Sequence, residues 1–361
     1  MIDPNELDLL RANPHFLGVS YIRFLPKALG ARPIANLRRK NPKSLPVSKN
    51  KIGFNHLSIN QTLQNVFQVL IFEKNRNPNL FASGASSQND IHRQLKEYKR
   101  CIIPKILNKN GKLFFCKVDI KSCFDSIRHD VCQVLLDNII KELEYVVQKY
   151  SIAYINMGKL KKEYRKSANV SDDFKDFIDF AAEISTNLRN ALIVDQVVHS
   201  FEDREELMSI LHQHISNHIV KIGRLHYRQI VGIPQGSILS SLLCGLVYGD
   251  MERRELSHLS TREDSMLIRY VDDFIFVSTE PEVTKEFAII MHRGFPDYGC
   301  EVSREKSLVN FEIEIDGKQL HRIDESEGGG RFPWVGLLID TNTLDVFADY
   351  SRLLDTRTCC L

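Results

Sequence analysis

The chain has 361 residues, 43% of them apolar and 26% charged, which suits two to three domain-sized units with a sizeable core and excludes wholesale disorder. A net charge of +2 excludes a globally basic surface, so any nucleic-acid contact has to be local. The eight cysteines form no Cys-x-x-Cys pair, which speaks for reduced thiols without structural zinc, and no apolar run reaches membrane-spanning length.

The start, MIDPNELDLLRAN, is acidic and lacks the apolar core of a signal peptide. Residues 16–37 read FLGVSYIRFLPKALGARPIANL, two apolar runs around KALGA, and predict a hairpin with Gly30 in the turn. A basic run follows (Arg38, Arg39, Lys40, Lys43, Lys49, Lys51) and reads as a solvated loop. Leu63, Val66, Phe67 and Leu70 stand at helical spacing within 57–77, and a more polar helix is expected over about 86–107. LFFCKVDI, 113–120, predicts a buried strand ending in a carboxylate.

From Ser126 to about Tyr150 the period turns helical, and 151–220, charged and without proline, is read as mostly helical. His212, His214 and His218 lie there without a cysteine or clear carboxylate partner, so an exposed helical face is the expectation rather than a metal site. After Gly232-Ile233-Pro234-Gln235-Gly236 one long helix is predicted over 237–256. MLIRYVDDFIFVS, 266–278, predicts a second hairpin with an aspartate pair at its tip. A helix over 281–293 and several short strands over 306–350, with Gly328-Gly329-Gly330 as a loop, complete an α+β pattern.

The aspartates carry the chemistry. Asp is a common turn residue, so Asp272-Asp273 alone says little. Here, however, the pair ends two apolar strands, and Asp119 ends a third. Were those strands neighbours in one sheet, Asp119 and Asp272 would lie side by side, and desolvated carboxylates so placed call for a proton or a cation. Mg²⁺ binds through a few carboxylates plus substrate phosphates, and two such ions support in-line phosphoryl transfer.

The order Asp119, Gly232–Ser237, Tyr270–Asp273 resembles motifs A, B and C of reverse transcriptases. Further stretches resemble telomerase reverse transcriptases: GIPQGSILSSLLCGLVYGDME (232–252) their motif B, PDYGCEVSREKSLVNF (296–311) their motif D, RFPWVGLLIDTNTLDVFADYSR (331–352) their motif E, and GVSYIRFLPKALGARPIANL (18–37) their motifs 1 and 2. The 101 residues between Asp125 and Tyr227 match in position the fingers insertion of that family.

The resemblance implies a right-hand polymerase fold: an antiparallel palm sheet backed by helices, with helical fingers. Fingers would span 1–110, the palm 111–129 and 227–350, a helical insertion 130–226, and the start of a thumb 351–361. It implies an RNA-directed DNA polymerase that copies the template of a telomerase RNA onto a single-stranded telomeric DNA primer from dNTPs. Two Mg²⁺ ions, a nuclear location at chromosome ends and possible accessory proteins come with it, and no membrane. Asp119 and Asp272 would be the main metal ligands, with Asp273 assisting. Lys27 and Arg32 would grip the triphosphate, and Gln235 and Gly236 would contact the dNTP and the template–primer pair.

Phe124, which the residue alone leaves equally a core or a gate side chain, falls at the position that excludes a 2′-hydroxyl. Lys306 matches a proton donor to pyrophosphate, otherwise a surface lysine. Trp334 and Gly336 match the primer grip, although core is the common fate of a tryptophan. The resemblance implies an RNA-binding region ahead of motif 1 and a longer thumb, and this chain is expected to lack both. The alternatives are a retroelement enzyme of the Penelope-like group and a non-catalytic fragment that binds nucleic acid or a partner.

Overall fold

The computed structural model describes residues 1–26, 30–40, 57–107, 112–173, 176–186, 190–323 and 330–350. The chain divides into two compact units, residues 1–78 with 129–243, and residues 79–128 with 244–361.

In the first unit the expected hairpin is present. Strand Val19–Pro26 pairs antiparallel with Ala31–Asn36, Tyr21 opposite Asn36 and Pro26 opposite Ala31. Ile219–Ile222 adds in parallel beside the first strand, and Leu225–Arg228 closes the four-stranded sheet. Ser58 and Gln61 form a capping box that starts the short helix Ile59–Thr62, satisfying backbone donors the helix leaves open. Helix Gln64–Arg76 follows and buries Val66, Val69 and Leu70.

The largest departure from the sequence reading lies in 144–203. Instead of helices, three long strands form an antiparallel sheet, with Glu144–Asn156 between Lys159–Val170 and Ala191–Asp203. The reason is legible afterwards. EYVVQKYSIAYIN is rich in β-branched and aromatic residues at a period of two. Met157 at φ 50° and Gly158 at φ 73° make a two-residue turn whose twist suits a hairpin. The charges of 159–166 sit on a mostly exposed strand rather than on a helix surface. Among the described residues, α-helices stand before the three strands at His129–Ile139, between the second and third at Phe177–Ser185, and after them at Arg204–Ser216. The sheet packs on helix Gln64–Arg76, where the Tyr145 hydroxyl donates to buried Glu73 at 2.8 Å.

Two of the three histidines are also buried rather than exposed. His214 and His218 are 1% and 4% exposed, edge to face at 6.1 Å, whereas His212 is the hydrogen-bond partner of Gln133. Burial pushes both ring pKa values down, to about 3 for His214, where His218 adds to the effect, and to about 4 for His218. The unfolded chain takes up these protons near pH 6.5 while the folded chain resists them. Their stabilising contribution is therefore full above 6.5 and lost as the pH falls towards 4. Urea unfolding should lose on the order of 1 kcal/mol per histidine per pH unit below about pH 6. His218→Gln should flatten that slope; an unchanged slope would mean that the histidines protonate in the folded state.

The second unit is built on a five-stranded sheet in the order His321–Arg322, Leu308–Val309, Phe114–Asp119, Asp273–Ser278, Ser265–Tyr270. All its pairings are antiparallel except that between the first two. Alternation along Asp273–Ser278 explains its two covers. Phe276 stacks on Phe287 of helix Pro281–Arg293 with ring centroids 4.7 Å apart. Ile275 and Val277 point the other way, into a core with Ile91, Leu95 and Ile102 of helix Gln88–Leu107. That helix therefore belongs with this sheet, and the first stretch of the unit that holds the first hairpin runs to Pro78 rather than to residue 110. The expected thumb start, 351–361, lies outside the described residues, as do Lys27 and the glycines 328 and 329.

Candidate active site

The strand register places the acids. Asp119 closes its strand directly opposite Asp273, so these two carboxylates share one face of the sheet. The sequence reading put Asp272 in that place. Instead Val271 and Asp272 form the two-residue turn between the paired residues Tyr270 and Asp273. Val271 sits at φ 60°, an unfavourable conformation for a β-branched side chain and a mark of strain at the hairpin tip. Surrounding bonds hold it there: Ile120 N–H donates to Asp272 O at 3.0 Å, and the Cys244 thiol lies 3.9 Å from Val271 O.

Electrostatics shows how crowded the acids are. Burial, then Asp272, then Asp119 push the Asp273 carboxyl up to about 6 against the opposing pull of Lys117 and Lys306. Three hard oxygen-bearing groups, two of which raise the proton affinity of Asp273, suit a divalent cation. Among the described residues, though, no three His, Cys, Asp or Glu side chains close a cage around a metal position.

Lys306 faces the same point. Its Nζ donates to Asp119 Oδ1 at 2.7 Å, although its side chain is 63% exposed. The short 3₁₀ helix Arg304–Lys306 carries it, and the segment before is tied to the Asp119 strand by Ser303 N–H to Asp119 O, 2.8 Å, and Lys121 N–H to Glu301 O, 2.7 Å. Gly299 makes this approach possible: at φ 67° a Cβ would come within 2.0 Å of Ser126 O. Phe124 is half-buried on the short helix Cys123–Ser126 that begins just beyond Asp119. Its neighbour Cys123 meets Cys244 with sulfurs 3.2 Å apart, both as free thiols.

Trp334 departs from its expected role as a primer contact. It is fully buried in the core with Phe115, Phe332 and Ile268, where it holds its strand in place and reaches no solvent. Gly336 does lie at a surface turn, with Val335 at φ 47° and Gly336 at φ 75° between strands Arg331–Trp334 and Leu337–Asp340.

Arg32, Gln235 and Gly236 belong to the first unit. Arg32 is exposed on the first hairpin, opposite Leu25. The Gln235–Gly236 turn is held from several sides. Ala35 N–H donates to Gln235 O at 2.9 Å, and at Gly236, φ 115°, a Cβ would meet Ala35 O at 2.4 Å. Buried Asn60 donates to Gly236 O at 3.0 Å and accepts from Ile238 N–H at 3.2 Å. His214 Nε2 and Ser237 Oγ are 2.9 Å apart, and His129 Nε2 lies 2.7 Å from Gly232 O. Sequence reasoning missed Asn60, His129 and His214, whose partners are distant in the chain and leave no local signal.

A missed pair also supports the aspartate hairpin. Arg269, one residue before Tyr270, is buried and donates from Nε to Glu252 Oε1 at 2.5 Å. A charged residue inside the apolar run MLIRYV was the available signal.

Residues 192–320 match the family described as reverse transcriptase (RNA-dependent DNA polymerase), a span that holds Gln235, Asp272, Asp273 and Lys306. The telomerase reverse transcriptase of Bos taurus is 32% identical over 353 residues, 96% of this chain and 30% of the bovine protein. That of Oryza sativa is 32% identical over 374 residues, 98% of this chain and 28% of the rice protein. The chain thus spans about 30% of the length of the curated relatives it matches. Among solved structures, apo telomerase from Candida tropicalis superposes with a TM-score of 0.62 at 20% identity, covering 98% of this chain and 50% of that one. Telomerase from Candida albicans in complex with a fragment of telomeric RNA gives 0.60 at 16%, covering 94% and 48%.

Proposed function

The chain carries a reverse transcriptase domain of the telomerase type, with that family's right-hand α+β polymerase fold, and from this premise we propose that it is an RNA-directed DNA polymerase. The observation that carries the proposal is Asp273 opposite Asp119, with Asp272 in the adjoining turn and Lys306 bonded to Asp119. A primer 3′-hydroxyl attacks the α-phosphorus of a dNTP, a new P–O bond forms, and pyrophosphate leaves in line. Asp119 and Asp272 hold divalent cations, magnesium in this reading, and Asp273 assists. Reverse transcriptases use such ions, and here two would activate the hydroxyl and offset charge on the leaving oxygens.

Lys306 would give a proton to pyrophosphate, and Asp119, to which its Nζ donates at 2.7 Å, would be among the carboxylates that hold the cation. Arg32 offers a bidentate fork to the triphosphate, with Lys27 as a second cation. The Gln235–Gly236 turn presents backbone to the nascent pair, and the turn at Gly336 meets the primer.

The template is the telomerase RNA, the primer single-stranded telomeric DNA, and the place of action the telomere in the nucleus. Accessory proteins of telomerase are further partners. The direct test is extension of a DNA primer annealed to an RNA template by the purified chain with dNTPs and Mg²⁺. No extension by a well-folded chain supplied with an annealed hybrid would count against self-sufficient polymerisation.

Phe124 supplies a second test. An aromatic ring at this position excludes a 2′-hydroxyl by contact, so Phe124→Ala should raise ribonucleotide incorporation relative to deoxyribonucleotide by about tenfold or more. Competition between ATP and dATP in single-nucleotide extension reads the ratio, and an unchanged ratio would assign Phe124 to the core.

A further inference from the structure

Among the described residues of its unit, one face of the sheet of residues 144–203 is covered in part, by helix Gln64–Arg76, which meets Tyr145 and Lys166. Register puts Lys149 opposite Lys166, Ser151 opposite Tyr164 and Ala153 opposite Lys162, so all six side chains share that face. The opposite face is capped by helix Phe177–Ser185, where Phe180 packs on Tyr150 and Ile152.

On the partly covered face Tyr164 is 60% exposed, and two ammonium groups stand against its ring, Lys149 Nζ at 5.4 Å and Lys162 Nζ at 5.1 Å from the centroid. Ser151, opposite Tyr164 across the strand pair, is buried, and its hydroxyl accepts from Gln196 Nε2 at 3.1 Å. Gln64 and Gln68 of helix Gln64–Arg76 join Lys149, Tyr164, Arg165 and Lys166 around a cleft of about 420 Å³. Among the strand residues of this face the one acid is Glu202, and it is already engaged by Asn65 at 2.6 Å and Ser200 at 2.5 Å. Burial and the nearby Lys149 hold the Lys166 ammonium below its ordinary range against the pull of Glu202, and Lys166 Nζ donates to Asn65 Oδ1 at 2.6 Å, a neutral partner that leaves its charge unpaired.

We propose that this face binds single-stranded nucleic acid, one base stacked on Tyr164 and neighbouring phosphates held by Lys149, Lys162 and Lys166. An aromatic platform among cations is the chemistry that grips single strands without reading their sequence. Protein interfaces are depleted of lysine at their centre, which is where this face concentrates it. Of the exposed apolar residues on this face, Ile155 and Leu160 pair with each other near the far end of the hairpin, and Val198 and Leu192 stand on the third strand opposite Lys149 and Ala153. The proposal stands apart from the polymerase chemistry, since it concerns binding by a different set of residues.

The test is fluorescence anisotropy of the whole chain with labelled oligo-dT and oligo-U of about 15 nucleotides, a length that spans one such site. Tyr164→Ala should weaken binding about tenfold, and Tyr164→Phe should bind like the parent because the ring is kept. Lys149→Ala with Lys162→Ala should reduce the salt dependence by one to two counterions, roughly. Oligo-dT and oligo-U tell a DNA from an RNA preference, and either satisfies the proposal. Circular dichroism and melting temperature establish that each variant is folded. Repeating the series in an Asp272→Ala background should give the same changes, which separates this site from the polymerase reading. Parental affinity and salt slope in both the Tyr164→Ala and the lysine variants would overturn the proposal and leave the face to a protein partner.

Discussion

Asp272→Ala is expected to reduce primer extension by at least about three orders of magnitude without unfolding the chain. The loss of one carboxylate from a cation site removes several kcal/mol of transition-state stabilisation, and each 1.36 kcal/mol is about a factor of ten in rate. The folded state should tolerate the change well, because Asp272 is one of the charges that drive the Asp273 carboxyl up to about 6. Its removal relieves repulsion rather than creating a void, as Asp272 lies in a turn and not in a strand. Asp119→Ala should be equally inactive for a further reason: it also strands the Lys306 ammonium now bonded at 2.7 Å. Single-turnover extension on a pre-annealed RNA–DNA hybrid, with hybrid binding measured separately, isolates the chemical step. Activity within tenfold of the parent would refute a catalytic role for this acid.

The second large effect concerns stability. Arg269 and Glu252 form an ion pair with both side chains 2% exposed. The pair is fully occupied: Arg269 Nη2 also donates to Phe81 O at 3.0 Å and Gly245 O at 3.2 Å, while Glu252 Oε2 accepts from Ser83 N–H at 2.9 Å and from the Ser83 hydroxyl. Backbone bonds run alongside, from Arg269 N–H to Ser83 O and from Ala85 N–H to Arg269 O. Gly249 lets this strap lie flat, since a Cβ there would stand 2.3 Å from Leu80 O. The pair thus fastens residues 80–85 beneath the strand that ends in the aspartate turn.

Glu252→Leu leaves a buried guanidinium without its counter-charge and should cost about 3–5 kcal/mol. The double replacement Glu252→Leu with Arg269→Met should recover most of that loss, because an apolar pair of similar volume carries no desolvation penalty. Denaturant unfolding of the four proteins in the cycle measures the coupling. A single variant within about 1 kcal/mol of the parent would show that the pair is not the fastening described.

Much of this was readable from residues alone. Apolar runs bounded by acids announced the strands Phe114–Asp119 and Asp273–Ser278, because a continuous apolar run of that length reads as a buried strand and a carboxylate marks where burial stops. The first hairpin, the helices near 64–76, 88–107 and 281–293 and the long helix Ser240–Glu255 followed from period and punctuation. What misled was charge. Lys159–Lys166 looked like a solvated helix, yet a strand with one open face accommodates the same residues, and only pairing with Glu144–Asn156 decides between them. His214 and His218 looked exposed for the same reason.

The amino-acid sequence by itself determined that Asp119 and Asp273 would bound apolar strands, because placement at a strand end is a local property of the chain. Tertiary structure alone decided that Asp273 and not Asp272 stands opposite Asp119, since register depends on the length of the turn and on the partner strand. It alone decided that Trp334 is core, that Asn60 and two histidines hold the Gln235–Gly236 turn, and that Arg269 meets Glu252. Each of these rests on residues far apart in the chain, and contact at a distance is set by packing, which no local pattern encodes.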